Sequence, residues 1–212
     1  MRYSRVLKLN LYSKPIMFIM KNRLLIILTF IFIFGFSFAI FSNGKYEFVT
    51  SWSENYLNDN FAKLGNSSFV NLVINSFLSS MLFLVLTLIC GTSMLGIVLV
   101  PLLVLLRGFL NGSIAAFLYS LYSFEGVAFY AVIILPTAVI FSIILIFCSI
   151  SAINFSLNLA ALTFKENYSN GIYFEFKKLT YKLLIYSAFV LISSILEALL
   201  TSSFLKNFSG IL

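Results

Sequence analysis

Residues 69–164 hold two charged side chains, Arg107 and Glu125, in 96 positions. Such a stretch suits hydrocarbon and not water, because a charge at mid-bilayer costs about 2.5–3.5 kcal/mol on insertion scales. The chain reads as a polytopic membrane protein. Of its 212 residues 10% are charged and 61% hydrophobic, whereas soluble domains are roughly a quarter charged. An arginine kept inside an apolar run must face protein or a wet cavity, so Arg107 is the first residue to account for.

The formal net charge is +7, and its placement decides its meaning. Six of the 14 Lys and Arg precede residue 24, and four more lie within 165–182. Charge gathered at the margins of apolar runs is a topology signal; it lacks the patch and motif context of a nucleic-acid surface, so no nucleic-acid partner is expected. Cys90 and Cys148 fall inside apolar segments, where a thiol behaves as a small hydrophobe. Without His or clustered acids they give no metal spacing, and neither a metal nor another cofactor is expected. The basic residues 1–23 precede an apolar run too long for a signal peptide and without a cleavage site. They form a basic N-terminus that stays attached to the first span.

At about 20 residues per crossing, spans are expected over 24–42, 68–90, 97–122 and 183–205. Residues 127–164 number 38, too many for one crossing at about 1.5 Å per residue and too few for two with a turn. Pro136 offers a division. Residues 137–162 then form a tilted span, and 127–135 a short half-depth segment, which is allowed only where it is buried in protein or lines water. The expected fold is an all-α, polytopic bundle of about five transmembrane helices plus that segment, within 24–205, followed by a short tail, 206–212. The Lys and Arg bias puts the N-terminus, the 91–96 turn and the 165–182 loop in the cytoplasm, and the C-terminus outside. The outer loop, 43–67, carries Tyr46, Phe48, Trp52, Tyr56 and Phe61, which suit an interfacial belt or a docking surface.

Asn71, Asn75 and Ser79 recur every four residues, as do Asn154 and Asn158. Aligned polar residues on a membrane helix bond neighbouring helices, for about 1 kcal/mol or less each, or line a substrate path. Gly108, Gly112 and Ala116 make a small-xxx-small ridge that lets two helices approach closely, either within the protein or with a partner. Arg107 stands at the edge of that ridge, about 15 Å from the inner end of its span, and Glu197 lies about 21 Å from the inner end of the last one. They are the expected intramembrane ion pair, either a packing device or a proton or ion path. There is no His, the single Asp is Asp59 in a loop, and no Ser or Cys stands in a recognisable nucleophile–base motif. The parts for nucleophilic, acid–base or metal catalysis are therefore lacking, and no enzyme is expected.

The run Cys90-Gly-Thr-Ser-Met-Leu-Gly-Ile-Val-Leu-Val-Pro101, then Arg107-Gly-Phe-Leu-Asn-Gly112, then Ile134-Leu-Pro136 opening a long apolar helix, resembles the core of the stage II sporulation protein M family. The resemblance covers about residues 70–164. Thr137, Ala138 and Val139 stand where many members carry His or Asn and then Glu. The resemblance implies a multi-pass protein of the bacterial cytoplasmic membrane, a scaffold that anchors peptidoglycan-remodelling enzymes, as in sporulation engulfment. Its expected partners are the lipid bilayer, membrane-anchored or extracytoplasmic cell-wall hydrolases and, in a homo-oligomer, further copies of the chain. The rival expectation is a small-solute permease or a transporter's membrane subunit, because glycine breaks and mid-membrane polar groups also mark substrate sites.

Topology is directly testable. In intact cells a cysteine at position 209 is expected to react with an impermeant thiol reagent and one at position 170 is not; labelling at 170 without 209 would reverse the chain beyond Pro136.

Overall fold

The computed structural model describes residues 23–42, 51, 53, 69–164 and 172–204. The basic N-terminus before Arg23, the outer-loop aromatics, Lys165 and the tail lie outside the described residues. The described chain forms α1 (Arg23–Ser42), α2 (Phe69–Gly91), α3 (Gly96–Phe129), a π-helical turn (Tyr130–Ile134), α4 (Leu135–Phe164) and α5 (Ile172–Phe204). It is an all-α bundle, and among the described residues there is no strand.

Four stretches are long and apolar enough to cross a membrane: Arg23–Ser42, Phe69–Gly91, Gly96–Ala161 and Phe174–Ser203. About five crossings were expected, and the difference lies in the third stretch. Its 66 residues would reach about 100 Å as a straight helix, some three times the hydrocarbon thickness. It is not straight. At Ser123 the backbone leaves helical geometry, with φ 51° and ψ −126°. Beyond that point Ile114 and Leu118 pack with Phe129 and Ile133, Arg107 lies over Phe141, and the Ser156 hydroxyl donates to the Ser93 carbonyl at 2.7 Å. Contacts that step backward along one arm as they step forward along the other define an antiparallel hairpin. Gly126 permits the reversal, since a Cβ there would fall on the Leu118 carbonyl oxygen.

The chain was expected to divide at Pro136, with 127–135 set apart at half depth. The structure corrects this. Helix continues through the proline, and residues 127–135 form the start of the returning arm, packed along α3. Proline lacks an N–H and its ring clashes with the carbonyl four residues back. The π turn accommodates both by widening the backbone just before it: the Leu135 amide bonds back five residues to the Tyr130 carbonyl.

The glycine ridge faces α1. A Cβ on Gly108 would meet the Phe32 carbonyl oxygen, one on Gly112 the Phe36 carbonyl oxygen and, at 2.9 Å, the Ala39 Cβ; one on Gly35 would meet the Leu105 carbonyl. Contacts rise together along both helices, so α1 and α3 are parallel, backbone against backbone. Ala116 continues the ridge and is buried. The partner half of the expectation therefore has no room on these glycines, because the protein's own first helix covers them.

α4 is the central helix and packs against all four others. Lys182 on α5 reaches Ser151 on α4 at 3.3 Å, and the Phe155 and Phe176 rings lie 6.1 Å apart, so α4 and α5 are antiparallel. The register puts Arg23, the 91–96 turn, Ser151 to Ser156 and Lys182 at one end of the bundle. Residues 157–164 and the first part of α5 extend beyond that turn. The fourth crossing therefore sits nearer the N-terminal side than 137–162.

Replacing Gly112 by Leu should force α1 off α3. The expected result is loss of most of the protein from the membrane fraction, read by quantitative immunoblot, with Ala116→Gly much milder because it adds no volume and costs only about 1 kcal/mol of helix propensity.

Candidate functional site

Three helices each bring a polar pair at i, i+4 spacing to one place inside the bundle: Ser76 and Ser80 on α2, Arg107 and Asn111 on α3, Ser193 and Glu197 on α5. Spacing of four puts each pair on one helix face. Thr137, one residue after Pro136, adds a fourth helix. Ser80, Arg107, Asn111, Thr137, Ser193 and Glu197, with Ile134, Ala138 and Phe141, line a cavity of about 20 Å³. A polar cavity above roughly 10–15 Å³ admits one water, so this one has room for about a single molecule.

The charges are held by named partners. Ser76 donates its hydroxyl hydrogen to Oε2 of Glu197, linking α2 to α5. The Arg107 guanidinium carbon lies 5.0 Å from the Phe83 ring centroid and 4.6 Å from that of Phe141, so rings from α2 and α4 flank the cation. A cation over an aromatic face gains about 0.5–2 kcal/mol, most when desolvated. The guanidinium also interacts electrostatically with Glu197 and with the buried Tyr130. Thr137 returns its proton to the Ile134 carbonyl at 2.9 Å, within the turn that the proline and the π helix disturb. Asn111 is 4% exposed and faces the cavity.

The sequence-derived residues divide. Arg107 and Glu197 come to the walls of one cavity. Gly108 and Gly112 lie on the next face of α3, against α1. Of the expected stripe, Asn71 and Asn75 are exposed and Ser79 half-buried, and the buried face of α2 runs one position on, through Ser80, Leu84 and Thr87. Periodicity fixed the stripe but not its direction around the helix, and a shift of one residue is about 100°. Asn154 and Asn158 are likewise exposed. Ser76, Ser80, Asn111, Thr137 and Ser193 join the site beyond the expected residues, and for all but Thr137 the signal in the sequence is an i, i+4 polar pair on an apolar helix.

No family model, curated protein or solved structure matches the chain.

Removing one member of a buried charged pair leaves the other uncompensated and costs about 3–5 kcal/mol. Arg107→Ala and Glu197→Ala should each sharply lower the protein level in the membrane, and the double variant should regain much of it. Strictly additive losses would show that the two charges are not coupled.

Proposed function

We propose that this chain is a non-enzymatic integral membrane scaffold of a bacterial cytoplasmic membrane, N-terminus inside, that anchors peptidoglycan-remodelling enzymes. The observation that carries the reading is how little space surrounds the polar centre. Ligand pockets usually measure some 300–1,000 Å³, whereas about 20 Å³ lies between Arg107, Asn111 and Glu197. Rings flank the cation, Ser76 holds the acid, and α1 seals the glycine face of α3. Such a centre acts as a strut that fixes how the helices pack. The resemblance of residues 70–164 to the stage II sporulation protein M family supports the choice of partner, and the glycine ridge leaves docking to the helix ends and loops.

A permease or transporter subunit is the second reading, favoured by one specific feature. Polar side chains from four helices meet at mid-membrane depth beside a π turn, and both features recur at functional sites. Affinity capture of the tagged chain from native membranes, with mass spectrometry, separates the two. Wall hydrolases carrying extracytoplasmic domains are expected; an ATPase or a solute-binding protein, with uptake changed in a deletion strain, would establish the permease instead.

A further inference from the structure

The polar residues of α4 that face away from the bundle find no role in the buried centre. Ser151, Asn154 and Asn158 follow one another at three and four positions, which places them on a single face of the helix. Asn154 and Asn158 are exposed and Ser151 partly so. On α5, Glu175, Lys178 and Lys182 repeat the spacing, with Lys178 exposed and Lys182 partly buried. The Lys182 ammonium donates to the Ser151 hydroxyl at 3.3 Å. That bond turns the two faces toward the same side of the α4–α5 pair.

Depth gives this face its meaning. Ser156 bonds the Ser93 carbonyl in the 91–96 turn, where α2 and α3 reverse and must reach the membrane boundary. Ser151 lies about 7 Å from that level toward the membrane, and Lys182 beside it. The ammonium thus sits at headgroup depth, its methylene stem along apolar surface as long cationic side chains do at helix ends. Asn154 and Lys178 come one turn nearer to water.

We propose that the α4–α5 groove at this end binds the phosphodiester of an anionic phospholipid. Lys182 and Lys178 supply the positive charge, and Ser151 and Asn154 supply neutral donors. Between them they offer ammonium, hydroxyl and amide hydrogens and no fixed negative charge. The one acid on the face, Glu175, lies about 10 Å from Lys182 along the helix, on the aqueous side, where it opposes a second anion more than the first. Basic pockets between membrane helices hold anionic headgroups in this way, and each surface lysine contributes about 1 kcal/mol. The inference stands apart from the scaffold reading, since it requires only the helix register and the bilayer.

Native mass spectrometry of the full chain, purified in detergent and mixed with equal phosphatidylglycerol and phosphatidylcholine of identical acyl chains, tests it. Wild type should retain phosphatidylglycerol several-fold over phosphatidylcholine. The double variant Lys178→Ala, Lys182→Ala should lose that preference. Lys177→Ala should keep it, because residue 177 lies on another face, and Glu175→Gln should equal or exceed wild type. Equal retention of both lipids by wild type, an unchanged preference in the double variant, or the same loss in Lys177→Ala would each overturn the site. Should the double variant not purify, a wild-type preference that is indifferent to raised salt would do so as well, since the screening length shrinks from about 10 Å at 0.1 M to about 3 Å at 1 M.

Discussion

An arginine deep in an apolar bundle sets the terms for the helices around it. Taking the guanidinium out of water costs several kcal/mol, and what offsets that cost comes from separate elements: the Phe83 ring from α2, the Phe141 ring from α4, the Glu197 carboxylate from α5. Each must hold its rotation about its own axis, since a slip of one residue turns a side chain by about 100°. α3 can serve all of them because its faces are divided. Arg107 and Asn111 look toward α2, α4 and α5, while Gly108 and Gly112, one position on, look toward α1. Close backbone contact with α1 on one face leaves the other free for the polar centre.

Five of the buried hydroxyls make no demand on neighbouring helices. Thr87, Ser113, Ser142, Ser194 and Thr201 return their protons to the carbonyl four residues back, the local alternative open to Ser and Thr in a helix. Where lipid offers no competing partner this satisfies the group and fixes nothing between helices. Three serines behave differently. Ser151 on α4 accepts from Lys182 on α5, Ser76 reaches α5, and Ser156 reaches the 91–96 turn. Gly91 and Gly96 allow the last, because a Cβ at either would press on Ala152 or on the Cys90 carbonyl. The number of polar residues in an apolar sequence therefore says little about how many of them tie helices together.

The membrane class and helical architecture were legible because the free energy of hydrocarbon transfer depends on composition, and 96 residues with two charges leave no soluble alternative. The glycine ridge was legible by spacing, and Arg107 and Glu197 were legible as isolated charges. What could not be read was azimuth. Asn71 and Asn75 have the same periodicity as Ser76 and Ser80, and only the packing of Leu84 and Thr87 decides which pair turns inward. The reversal at Ser123 was placed correctly between spans, but the course of the chain through Pro136 was not. Proline ends a helix only where the backbone has no other way to accommodate it, and a π turn is not visible in composition.

An overhang accounts for the awkward length of the returning arm. Residues 127–164 are too many for one crossing, and the surplus was assigned to the wrong end: the helix begins its crossing near residue 127 and overhangs beyond the 91–96 turn instead. A π turn carries one residue more than an α turn, so it rotates everything after it by about 100° relative to what comes before. Before it, Phe129 packs with Ile114 and Leu118. After it, Phe141, Leu145 and Cys148 join Val100 and Val104. Positions 129 and 141 differ by twelve residues, which in a regular α-helix is about 1,200°, or about 120° past three full turns. The extra residue absorbs most of that offset, and the same face of α3 is followed along its length. Without it, either the upper contacts or the ring beneath Arg107 would turn toward lipid.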